Sequence, residues 1–159
     1  MRSAISIFFL LFLSQQIAAA TPVGNSIPVT PDVEKTPGEL CSDADKDFHE
    51  YRYSEKMPYC IRKVAQWQKD KIYKQYNIPQ KCRHRYTVDH FVPLAVGGNN
   101  AFENLWPEHV LVKETRQELE QELYEDVRKG LMPSKNAREI IFRAKIELQL
   151  DLSDVDGCG

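Results

Sequence analysis

Gly97-Gly98 stands between two short β-prone runs, Tyr86–Val88 on one side and "NLW" (Asn104–Trp106) on the other. A glycine pair lets the backbone turn tightly, including through positive φ, where other residues are strained. This pattern predicts a hairpin with a wide loop. The incoming strand ends in Asp89 and His90, so two titratable side chains lie at the mouth of that loop. In a regular strand neighbouring side chains point to opposite faces. The pair serves one site only where the strand end brings both tips together.

The flanking chain supplies helices. Ile61, Val64, Ala65, Gln68, Ile72 and Tyr76 recur at helical spacing, with lysines on the other side, and Asn77 and Pro79 stop the run. Leu111, Thr115, Leu119, Leu123 and Val127 form a second stripe that ends before Gly130. A last helix is predicted after Pro133, with Ser134 as its N-cap and Ala137, Ile140, Ile141, Ala144 and Leu148 on its buried face. Leu40–Tyr59 shows aromatics without a clean period and reads as loop. The expected class is α+β.

Residues 1–20 read as a secretory signal: Arg2, the apolar run Ala4–Leu13, then small residues Ala18–Ala20 before the expected cut. The run is too short to span a bilayer, which takes about 20 apolar residues. Residues 21–39, with Pro22, Pro28, Pro31 and Pro37 and few apolar side chains, read as an extended leader. Residues 40–159 are expected to form a single domain. Four cysteines, none in a C-x-x-C pair, speak against a zinc knuckle and for two disulfides. Three connectivities are open, and Cys41–Cys60 with Cys82–Cys158 is the preferred one. The expected destination is the periplasm or the outside of the cell.

A net charge of −2 indicates no partner by itself, but the distribution of charge does. Between Arg52 and Tyr86 ten Lys/Arg face two acids, Glu55 and Asp70. Such a block is either a solvated face or a grip for a polyphosphate. No H-E-x-x-H occurs, which excludes the common zinc-protease pattern.

The ordered set "YTVDHFVPLAVGGNNAFENLWPEH" (Tyr86–His109) resembles the core of the HNH endonucleases, the ββα-metal superfamily. It is closest to the small exported bacterial type with a D-H-x-x-P-L…G-G-x-N…N-L-W-P pattern. The likeness extends less closely to about residue 128 and to "YRY…YC.R" upstream. It implies a small ββα-metal core of hairpin plus helix at residues 86–128, with an N-terminal and a C-terminal helix around it. It also implies an exported endonuclease acting on DNA, or on RNA as well, with low sequence specificity, and a monomer.

The roles it implies are specific. His90 is the general base, suited to it by an ordinary pKa of about 6.5. Asn104 fixes the loop and the histidine ring, and Asp89 binds one divalent cation. Oxygen ligands favour Mg²⁺ or Mn²⁺. For the further ligand, one count along the helix lands on Lys113, which cannot ligate while protonated; His109 and Glu114 are the alternatives. Arg83 and Arg85, alternating on the incoming strand, are expected at phosphate oxygens, whereas His49 and His84 lie outside the matched core. The competing expectation is a non-catalytic, disulfide-tied domain that binds nucleic acid or protein and retains the same shape.

Overall fold

The computed structural model describes residues 27–152 and Cys158. The expected signal segment lies outside them, as do residues 21–26 of the leader. Among the described residues, two antiparallel hairpins and four helices make a mixed architecture of the α+β class. The first hairpin, β1 (Phe48–Arg52) with β2 (Met57–Cys60), falls where loop was expected. Tyr53 and Lys56 take positive φ in its turn, a conformation their residue types do not advertise.

β3 (Tyr86–His90) and β4 (Leu105–His109) form the second hairpin, in register Tyr86↔His109 through His90↔Leu105. Its loop is the glycine loop foreseen from the sequence. Gly97 takes φ +98°, and a Cβ on Gly98 would lie 1.9 Å from the carbonyl oxygen of Val92. Only glycine fits there.

Helix α1 (Gln66–Gln75) starts later than its apolar spacing suggests. Ile61 and Lys63 are held extended instead: Ile61 N–H donates to the Asp47 carbonyl, Ile61 O accepts from Asn100, and Lys63 N–H donates to Asn100. Tertiary bonds here override local propensity. The long helix expected across Leu111–Val127 is two, α2 (Val110–Glu114) and α3 (Gln117–Arg128). The break falls at Arg116 (φ −129°), whose buried guanidinium bonds back to Glu108. Thr115 closes α2 by donating its hydroxyl to Val112 O at 2.7 Å.

Helix α4 (Ser134–Ile146) is capped from afar. Pro133 takes the N-cap position expected of Ser134, and the Ser134 N–H donates to the Glu55 carboxylate at 2.9 Å. An acid there also meets the positive end of the helix dipole. Its buried stripe is Ala137, Ile141 and Lys145, while Ile140, expected inside, is 38% exposed.

Among the described residues, three apolar clusters hold the hairpins and helices together. Ile72, Tyr73, Val88 and Leu105 centre one between α1 and the second hairpin. Val96, Leu123, Val127, Ala137 and Ile141 join the glycine loop to α3 and α4. Phe91, Trp106 and Val112 make the third. From Ile27 the expected leader lies on this core: Ile27 is buried, and the buried Thr36 hydroxyl bonds to Tyr76 and Leu105 O. Disulfides join Cys41 to Cys60 and Cys82 to Cys158, the preferred pairing. No helix among the described residues is long and apolar enough to cross a membrane.

Candidate functional site

β3 is regular to its end, so Asp89 and His90 leave opposite faces of the strand. They nevertheless meet at one group. The Nη1 of Arg62 lies 3.4 Å from His90 Nδ1 and 3.9 Å from Asp89 Oδ1, while Nη2 donates to Val88 O at 2.9 Å. Arg62 arrives from the extended segment before α1 and wraps the strand edge. Both tips thus lie within 4 Å of a single half-exposed guanidinium nitrogen.

The ring of His90 is buried, and its tautomer follows from its neighbours. The Asn100 amide nitrogen donates to Asp47 Oδ2 (3.0 Å) and Ile61 O (2.8 Å), and its oxygen accepts from Lys63 N–H. That fixes the amide with Oδ1 toward His90 Nε2, 3.0 Å away, so Nε2 carries the proton and Nδ1 is the bare acceptor. Burial first, then the Arg62 charge, pull the ring down to about 4 against the Asn100 bond and Asp89, leaving it neutral at pH 7.

Asn104 has a different task from the one expected for the ring. Its Oδ1 accepts from Val92 N–H, and its Nδ2 donates to Val92 O and Asn99 O. It staples the glycine loop, and the histidine is oriented by Asn100. The sequence carries a signal for this: "GGNN" spends two asparagines where a turn needs one.

Asp89 opens onto a polar cleft of about 460 Å³, lined also by Glu108, Lys113, Arg116, Glu120 and Tyr124. His90 lies just outside it. Burial opposes charge on Asp89, but Lys145 and then Lys113 outweigh it and hold the carboxyl below its usual range. Glu108, hydrogen-bonded to Asp89, is pushed up to about 7 by burial and then by the Asp89 charge. Of the two, Glu108 is the one that takes up a proton more readily, and it also meets Arg116.

Lys145, wholly buried, donates to His90 O at 2.8 Å and to Glu120 Oε1 at 2.8 Å, and lies 3.9 Å from Asp89 Oδ2. Lys113 is 3.5 Å from Asp89 Oδ1. Glu108, Lys145, Arg62 and Asn100 were not singled out from the sequence. For Lys145 the only signal was a lysine at the i+8 position of the Ala137–Ile141 stripe.

The chain matches no family model, no curated protein and no solved structure. The geometry therefore stands by itself.

The remaining expected residues lie elsewhere. His109 is fully buried on the opposite face of β4 from Glu108, edge-on to Tyr86 at 4.9 Å, and its Nδ1 accepts from Leu111 N–H to cap α2. Burial, then Arg85, lower its pKa. Glu114 does not line the Asp89 cleft; it borders a neighbouring cleft of about 640 Å³ with Thr115 and Glu118. Arg83 and Arg85 lie on a 3-10 turn (Gln80–Arg85) rather than on a strand, and Arg83 pairs with Asp70 at 2.9 Å.

Asp89 and Glu108 are the hard oxygen donors that a divalent ion takes. In this arrangement they do not fit one. Lys113, Lys145, Arg62 and Arg116 already surround the pair, and neither His109 nor Glu114 reaches it. A second grouping, Cys41, Asp45 and Cys60, is no better: its sulfurs are joined in a disulfide, and Asp45 accepts from Ser42.

Proposed function

We propose that this chain is an exported HNH-type endonuclease that hydrolyses phosphodiester bonds of DNA, or of RNA as well, with low sequence specificity. The observation that carries this reading is the convergence of His90 Nδ1 and Asp89 on one Arg62 nitrogen. A phosphate oxygen drawn to Arg62 lies beside the unprotonated imidazole nitrogen, and a water that takes the place of the Arg62 contact at Nδ1 is within reach of that base. His90 takes the proton from the attacking water at Nδ1. Asn100 holds the tautomer that leaves Nδ1 free, and Arg62 offsets the charge that gathers on phosphate oxygens. Lys113 and Arg116 extend that positive lining into the cleft. The two disulfides agree with an oxidising destination.

Lys113 motivates a second reading. It stands at the position one count assigns to a metal ligand, and its ammonium lies against Asp89. On this reading the chain keeps the HNH shape and binds nucleic acid without cutting it. Incubating the protein with supercoiled plasmid and with RNA, each with Mg²⁺, Mn²⁺ or EDTA, separates the two. Nicked or linear product in any arm supports the nuclease. Retained binding with intact plasmid and RNA in every arm leaves only the binder.

A further inference from the structure

The ten-fold basic block of the sequence is not absorbed by the cleft. Its centre is α1, and the outward face of α1 carries Trp67, 63% exposed. A domain that buries its other tryptophan, Trp106, completely leaves this one in water. Trp67 is not alone. The Phe102 ring lies 5.8 Å away at 59°, and the Lys71 ammonium sits 4.5 Å from the centre of the Phe102 ring. Trp67, Lys71 and Lys74 follow at i, i+4 and i+7 and so share one helix face. Asp70, the acid within α1, is neutralised by Arg83. No described ion pair engages Lys71 or Lys74, and Lys63 meets Asp47 only at 3.8 Å.

This face is tied to the candidate site. Gln68 donates to Asn100 O and Lys63 N–H to Asn100 Oδ1, the same asparagine that orients His90.

We infer that the Trp67 face of α1 is a stacking platform for unpaired nucleic acid, with Lys63, Lys71 and Lys74 taking its phosphates. The inference rests on the nucleic-acid reading above and narrows its substrate to single strands or locally melted duplex. An exposed indole with a ring beside it offers a base a surface to stack on, and in a duplex those base faces are already occupied. Lysines around the rings match a polyanion and would repel a basic partner.

The probe is a fluorescein-labelled phosphorothioate oligo(dT) of about ten nucleotides, chosen to span one such platform and resist cleavage. The control is a phosphorothioate duplex of the same length. Oligo(dT) is expected to quench Trp67 emission and to bind tighter than the duplex by anisotropy. Trp67→Ala should weaken it about tenfold, Trp67→Phe should restore most of the affinity, and Lys71→Glu should weaken binding and flatten its salt dependence. Equal affinity for wild type and Trp67→Ala, or preference for the duplex, overturns the platform while leaving the nuclease reading to the plasmid assay. Binding of neither probe overturns the platform too, and the plasmid assay then decides the nuclease reading by itself.

Discussion

At the scale of single residues, the proposed chemistry depends on which nitrogen of His90 is unprotonated, and that is decided by Asn100. The depressed ring pKa also has a thermodynamic consequence. Above pH 6.5 the ring is neutral folded or unfolded; between 6.5 and about 4 only the unfolded ring takes a proton. Stability is therefore lost as pH falls through that window, by about 3 kcal/mol at its end. Glu108, raised from 4.5 to about 7, acts in the opposite sense: its contribution is full below 4.5 and lost as pH rises through 7. Urea denaturation of wild type and His90→Gln across pH 4–7 should isolate the histidine part, with a shallower fall on the acid side in the variant. Parallel curves would contradict the assignment. Lys113 gives a second test. Lys113→Asn should bind Mn²⁺ by calorimetry at least about tenfold more tightly than wild type, because an ammonium beside Asp89 is replaced by an oxygen donor. Tight binding by wild type with no gain in the variant would show that Asp89 and Glu108 accept the ion despite their cations. Asp89 and His90 stood out in the sequence through the ordered set that follows them, Pro93, Gly97-Gly98 and Asn104–Trp106, rather than by themselves. Asn100 and Arg62 did not, because their roles arise from contacts 10 and 28 residues apart.

At the scale of elements, the wide-loop hairpin was read correctly because glycine pairs have few structural uses. Gly98→Ala should cost about 3 kcal/mol or leave the protein insoluble, since its methyl meets the Val92 carbonyl. Wild-type thermal stability in that variant would mean that the loop has room it does not show. The helices were read less well for a common reason: polar side chains buried by tertiary bonds leave no hydrophobic period. Arg116 breaks α2 from α3, and Lys145 takes a place on the buried stripe of α4 that an apolar residue would ordinarily hold. Lys145→Ala leaves the His90 carbonyl and the Asp89 and Glu120 carboxylates short of a cation. We expect a loss of about 3 kcal/mol in urea denaturation. A loss under about 1 kcal/mol would make Lys145 incidental to the site.

At the scale of the molecule, the α+β class and the position of the site-bearing hairpin followed from sequence, while the cysteine pairing was a preference among three connectivities that spacing alone does not decide. The first hairpin and the packing of residues 27–39 did not follow. Tyr53 and Lys56 give no turn signal, and a proline-rich segment looks alike whether it lies on a core or off it. What the whole arrangement achieves is to bring a guanidinium from a separate segment against an imidazole and a carboxylate that are neighbours on one strand, beside a cleft lined by charges of both signs. Relaxation of supercoiled plasmid by wild type and by His90→Gln, with DNA binding measured in parallel, tests this most directly. The account predicts a rate at least about a hundredfold lower in the variant with affinity unchanged; equal rates would remove His90 from the chemistry.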